Sequence, residues 1–298
     1  MKPEQMKRFV SKRILLSYEM EEFRMDLRLS FNEDVKNYDK WRPRYTPALF
    51  RSIIDFAGLN SVSRALEIGI GTGQATQPFL ETGCHVTAIE LGSGLAQYTR
   101  NKFYSYPNLE VLQKDFEQYE SKKNQFDLVY SGTAFHWIPA EIGYSKAFGL
   151  LRPGGTLALF WNHPFVSRTD DPLHQKIRAA YRRHRPSDNP DPTEFSLQDC
   201  EKQICTLRQY GFTLCQLSLF YAVRYISAEG YVALMNTYSD HRAMEQKARL
   251  DLEQEIAEAI RSEGGTLKIY DTMDLYLARK PGQSQTVHAT ATSAVSQG

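Results

Sequence analysis

The chain has no long unbroken apolar run. Its opening stretch, "MKPEQMKRFVSKRILLSYEMEEFRMDLRL", breaks its apolar positions with charges every few residues. That pattern lacks the continuous apolar core of a secretory signal or a membrane span, so a cytoplasmic location is the expectation. Cysteine is scarce: Cys84, Cys200, Cys205 and Cys215 are the only four in 298 residues. They are too few and too irregularly placed for a disulfide framework or a paired metal-ligand motif, so structural or surface thiols and no metal are expected. There is also no excess of one charge, since 36 Lys and Arg face 35 Asp and Glu spread along the sequence. Neither nucleic acid nor a membrane surface is indicated as a partner. No internal repeat is visible.

What is present is enough for a sizeable core: 42% of residues are hydrophobic and 24% charged, as in an ordinary α/β protein of one large domain with insertions. Residues 1–34 read as a helical extension. The stretch from Gln283, "QSQTVHATATSAVSQG", is poor in large apolar residues and is expected to be disordered. Between them, residues 35–282 form the body. From Pro47 the apolar positions Leu49, Phe50, Ile53, Ile54 and Ala57 recur at helical spacing, with Gly58 placed as a stop. The period then changes. Short apolar runs follow at "RALEIG", "HVTAIEL", "LEVLQKD", "FDLVYSG" and "GTLALFW", separated by enough chain for crossovers, which predicts a parallel, doubly wound sheet. "FTLCQLSLFYAVRYI" and "LKIYDTMDLYLARK" predict longer strands, an antiparallel hairpin on the same sheet. Residues 162–209 and 227–263 are expected to form a helical cap.

The first apolar run ends in "LEIGIGTG", a turn with Gly69, Gly71 and Gly73. Glu90 closes the next run, where an acid accepts hydrogen bonds from a ribose diol. The dinucleotide pattern G-x-G-x-x-G is not met, because Gln74 or Thr76 stands at the third glycine position, and no phosphate loop with lysine is present. Glu67, just ahead of the turn, would repel a pyrophosphate but favour a ligand carrying an ammonium and a sulfonium. S-adenosylmethionine has both and no phosphate. A local cap or ion pair is the plainer reading of Glu67.

Together, "LEIGIGTG", "AIEL", "QKDFEQY", "FDLVYSGTAFHW" and "LLRPGGTLALFW" resemble the class I S-adenosylmethionine-dependent methyltransferases over about residues 35–280. "YDKWRPRYTP" and "AFHWI" are similar to the small-molecule branch that includes trans-aconitate methyltransferase-like proteins, of the methyltransferase type 11 kind. The resemblance implies a Rossmann-like, doubly wound, mostly parallel seven-stranded sheet with an antiparallel edge strand. It also implies cofactor contacts: Gly69, Gly71, Gly73 and Glu67 at the methionine part, Glu90 at the ribose, Leu91, Asp115 and Phe116 at the adenine. Ser131 and the run to Ala134 would pass under the methyl group, and Tyr38, Arg42 and Tyr45 would form a lid over the methionine carboxylate. Thr46 departs from the family, which commonly has proline directly after that second tyrosine.

Direct in-line displacement needs positioning above all, and a base only for some acceptors. His136 and His163, after the fourth and fifth strands, are the candidate bases, each with a structural hydrogen-bonding role as the alternative. Trp137, Trp161, Tyr238, Ser239 and His241 are candidates for a small-molecule acceptor; core packing is the competing reading for the tryptophans and for Tyr238. Two further functions stay open: a non-catalytic S-adenosylmethionine-binding protein, and an NAD-linked oxidoreductase, which Glu67 and the missing glycine disfavour.

Overall fold

Strand β1, Arg64–Ile68, turns Ala65 and Glu67 to one face of the sheet and Leu66 and Ile68 to the other, and all four are buried. The alternation repeats in β4, Phe126–Gly132, where Leu128 and Tyr130 join one apolar cluster and Val129 the opposite one. A sheet buried on both faces needs helices on both sides, and this is what makes the chain doubly wound. The computed structural model describes residues 31, 34–187 and 190–282. The expected extension, apart from Phe31 and Asp34, and the tail from Gln283 lie outside the described residues.

The other strands are β2, His85–Glu90; β3, Leu109–Gln113; β5, Leu151–Phe165; β6, Thr213–Ser227; and β7, Thr266–Arg279. Seven strands lie in the order β3-β2-β1-β4-β5-β7-β6. The first five are parallel, whereas β7 runs antiparallel between β5 and β6. Strand β5 is longer than the run "GTLALFW" suggests. It continues through Asn162, His163 and Pro164 to Phe165 because β7 supplies partners that far, with Asn162 opposite Met273 and Phe165 opposite Tyr270. The segment from Asn162 therefore begins as strand, and the period of two puts Asn162 on the face of Phe160 and His163 on the face of Trp161.

Helix α1, Val35–Trp41, packs beside the helices Ser93–Lys102 and Ala228–Met235, with the Asp34 side chain accepting from Asn37 N at its start. Asp39 ties it down by accepting from Lys102 Nζ at 2.7 Å and Tyr98 OH at 3.0 Å. Helix α2, Pro47–Ala57, has Thr46 as its N-cap and proline in its first turn, so the inserted threonine has a structural role here. It buries Leu49, Phe50 and Ile53 on the sheet. Then come α3, Gln77–Leu80; α4, Ser93–Lys102; α5, Ala140–Leu150; α6, Pro172–His184; α7, Glu201–Gln209; α8, Ala228–Met235; α9, Ser239–Arg242; and α10, Gln246–Ser262. A third apolar cluster joins α6, α8 and α10 through Ile177, Leu234, Leu252 and Ile256, with Leu267 and Ile269 of β7 beneath. Among the described residues, no helix is long and apolar enough to cross a membrane.

Candidate functional site

The winding direction reverses between β1 and β4, and in open α/β sheets the crevice beyond the strand ends at that point holds ligands. Two adjoining cavities, of about 240 Å³ and about 160 Å³, open there and share Tyr38, Arg42, Gly69, Gly71, Thr133 and Tyr238 as walls. The glycine turn makes this possible. A Cβ on Gly69 would stand 2.5 Å from the Cβ of Ala134, so the turns after β1 and β4 approach this closely only around glycine. Gly71, at φ +56°, donates its N–H to Glu90 Oε2 at 2.8 Å. Gly73 does not face the crevice; it lies against the Phe103 ring on the outer side of the turn.

Glu90, Leu91, Phe116, Ala134, His136, Trp137 and Ser239 line the larger cavity. Both Glu90 oxygens are oriented by backbone donors, Oε2 by Gly71 and Oε1 by Gly92 at 2.9 Å. Asp115 is not in the wall. Its carboxylate accepts from Glu117 N and caps the turn Phe116–Gln118, while its neighbours Lys114 and Phe116 reach the cavity. His136 accepts from Trp161 Nε1 through Nδ1 at 3.0 Å. That bond fixes the neutral ring with its proton on Nε2, so His136 presents a donor where a base was expected. Partial loss of hydration lowers its pKa. Trp161 stands behind it against Tyr276, outside both cavities.

The smaller cavity collects Glu67, Tyr38, Arg42, Tyr45, Thr133 and Asn162. Glu67 is 2% exposed, and Thr76 Oγ1 and Tyr130 OH both donate to its Oε2 at 2.8 Å. Burial pushes its carboxyl up to about 8 against the pull of those two bonds, and the Glu90 charge adds to the rise. Arg42 stacks between rings, 4.5 Å from Tyr238 and 4.9 Å from Tyr38, and donates to the Thr237 carbonyl. Among the described residues it has no carboxylate partner. Tyr45 OH and Thr133 Oγ1 share a hydrogen bond of 2.7 Å.

Three other expected residues are placed elsewhere. Ser131 is fully buried and donates to the Ile68 carbonyl, tying β4 to β1 below the crevice. His163, on the opposite face of β5, stacks on Phe195 and bonds Asp274 Oδ1 at 3.0 Å. His241 is turned away towards Tyr181, whose hydroxyl is 2.8 Å from Nε2.

Sequence reasoning did not single out Thr133, Asn162, Lys114, Ile138 or Phe31, all in the cavity walls. Thr133 has φ +53°, which costs a β-branched residue on the order of 1–3 kcal/mol and persists only where the surroundings hold it. Nothing in the sequence marks that. Asn162 did leave a signal, a lone amide ending the apolar run "LALFW".

Residues 65–155 match a family model described as a methyltransferase domain. Over 239 residues the chain is 26% identical to an uncharacterized methyltransferase of Schizosaccharomyces pombe, covering 78% of this chain and 88% of that one. It is 31% identical over 166 residues to an uncharacterized methyltransferase of Mycobacterium tuberculosis, covering 52% of this chain and 65% of that one. A solved structure of a candidate type II methyltransferase from Anaeromyxobacter dehalogenans has the same fold, with a TM-score of 0.57 at 20% identity, covering 81% and 99% of the two chains.

Proposed function

Because the chain belongs to the class I S-adenosylmethionine-dependent methyltransferases, we propose that the two cavities hold S-adenosylmethionine end to end and that the methyl group passes in line to a small-molecule acceptor. One observation carries this reading. In the smaller cavity a buried carboxyl, Glu67, has no cationic partner among the described residues, and the Arg42 guanidinium has no anionic one. The two do not pair with each other. A zwitterionic amino-acid end between them satisfies both: its ammonium recovers the ionised form of Glu67, and its carboxylate neutralises Arg42.

The rest of the crevice suits the nucleoside. Glu90, already oriented by two backbone donors, accepts from the ribose hydroxyls, and Leu91, Phe116 and Ile138 offer apolar faces to the base. Lys114 stands at the rim where Asp115 was expected. Bound there, the sulfonium supplies an activated methyl group whose carbon–sulfur bond breaks as the bond to the acceptor forms, the electron pair staying on sulfur. The protein's part is to hold donor and acceptor in line, which is worth roughly 7–11 kcal/mol of barrier. Neither His136, protonated on Nε2, nor His163, on the far face of β5, stands ready as a base.

Calorimetric titration with S-adenosylmethionine, S-adenosylhomocysteine and NAD tests the cofactor site. Micromolar binding of the first two and none of NAD is expected; binding of NAD alone would overturn the reading. Transfer itself is read by mass spectrometry of small molecules incubated with methyl-labelled cofactor and the protein.

A further inference from the structure

Beyond the smaller cavity, past Pro164 and Tyr238, lies a third cavity of about 390 Å³ between the end of β5 and helices α6 and α8. Pro164 and Tyr238 are walls of both, so they form the neck between the two spaces. The chamber is apolar along Phe165, Val166, Ile177, Leu234 and Ile269, while Arg178 and Arg185 also stand in its wall, ion-paired with Asp191 and Asp240. At its far end Tyr181 bonds His241 Nε2, and His241 Nδ1 lies 3.2 Å from Asp240 Oδ1, so these polar groups satisfy one another. The smaller cavity's side of the neck, two residues before Pro164, is different. Asn162 is 9% exposed, lines the smaller cavity, and neither Oδ1 nor Nδ2 has a partner among the described residues. Leaving a buried amide unpaired costs about 1–3 kcal/mol, a cost that a bound ligand removes.

Resting on the cofactor placement above, we propose that this chamber is the acceptor site, that it takes an amphiphilic alcohol or phenol with an apolar body, and that Asn162 positions the reacting hydroxyl at the neck. The amide selects the head group. At neutral pH an amine is protonated and only donates, and a carboxylate only accepts, whereas a hydroxyl does both and matches Oδ1 and Nδ2 together. The methyl carbon exchanges its bond to sulfur for one to the hydroxyl oxygen, and the hydroxyl proton passes to water. The apolar part of the wall holds the body of the acceptor, so affinity rises with apolar area.

The probe is 4-iodophenol, added to protein saturated with S-adenosylhomocysteine. Its iodine, located by anomalous scattering, is expected between Ile177 and Leu234. Leu234→Trp is expected to weaken probe binding at least 10-fold by filling the chamber while leaving cofactor affinity within 2-fold, and Asn162→Leu to weaken probe binding about 3- to 10-fold by removing the amide. Should Leu234→Trp not fold, Val166→Phe, on the half-buried segment after β5, narrows the same space. Iodine elsewhere, or a probe affinity indifferent to the filling variant, overturns the chamber. A probe affinity unchanged in Asn162→Leu overturns the role of the amide. A wild-type protein that binds the probe in the chamber but not S-adenosylhomocysteine defeats the cofactor reading instead.

Discussion

The crevice and the chamber behind it are built on opposite principles. In the crevice the backbone does most of the placing: Gly69 lets two turns touch, Gly71 and Gly92 aim Glu90, and the ends of parallel strands fix the spacing. In the chamber, walls come from residues 164–167, 177–185, 192, 231–241 and 269, segments far apart in sequence, and side-chain size sets the space. Function of the first kind can be read from local spacing. The second kind depends on how helices pack, and it changes with any substitution of volume.

The largest effect that separates the two regions is expected from Gly71→Val. Its Cβ would meet Tyr38 and Gln74 at 3.6 Å, an ordinary contact, so the fold stands. A β-branched residue at φ +56° nevertheless costs on the order of 1–3 kcal/mol, and its methyl groups enter the cofactor's space. Calorimetry should show S-adenosylmethionine binding weakened by about 100-fold or more in a protein that still melts cooperatively, its melting temperature lower by about 2–10 °C from the backbone strain. Unchanged affinity would remove the turn from the site, and with it the contrast with the chamber.

Next comes Arg42→Met, which keeps the stem between the rings and deletes the charge. Losing one side of a buried charge-assisted contact costs about 2–5 kcal/mol, so cofactor affinity should fall roughly 30-fold or more. 5′-Methylthioadenosine, which lacks the amino-acid end, should bind the variant and the wild type alike. Glu90→Gln should cost less, about 1–3 kcal/mol, and should weaken both ligands equally because both carry the ribose. If the two substitutions affected the two ligands in the same way, the division of the crevice into a methionine end and a nucleoside end would fail.

The sequence made the crevice legible for the same reason that these tests are local. The strand, turn, strand pattern from Arg64 to Glu90 specifies a βαβ unit whose geometry is fixed by backbone hydrogen bonds, so Gly69, Gly71, Glu67 and Glu90 could be placed from spacing. Spacing fails where a neighbouring residue takes the role. Asp115 spends its carboxylate capping a turn, and Gly73 makes room for Phe103. It fails again where a strand's end depends on a remote partner. His163 looks like a base two steps past the run "LALFW", but β7 extends β5 beyond it, and the period of two turns it to the wrong face while presenting Asn162 to the crevice. Thr133 is beyond any sequence pattern, since its left-handed backbone is held by contacts remote in sequence, the Tyr45 hydroxyl and the Phe160 carbonyl of β5.

The smallest effect is a proton. Glu67 has its carboxyl raised to about 8 from 4.5, first by burial, so the free protein holds it mostly neutral at pH 7. A folded-state pKa above the unfolded one means that this group's contribution to stability is full below about pH 4.5 and is lost as pH rises through about 8. Glu67→Gln cannot ionise, so its melting temperature should fall less than that of the wild type between pH 5 and pH 9. An ammonium beside Glu67 reverses the balance, since a neighbouring cation favours the carboxylate. Binding of S-adenosylmethionine at pH 7 should therefore release up to about one proton in the wild type, fewer in Glu67→Gln, seen as calorimetric enthalpies that depend on the buffer's own heat of ionisation. If the two proteins release protons equally, the ammonium does not sit at Glu67. The buried acid would then be a structural partner of Thr76 and Tyr130, and the methionine end would have to be placed by Arg42 alone.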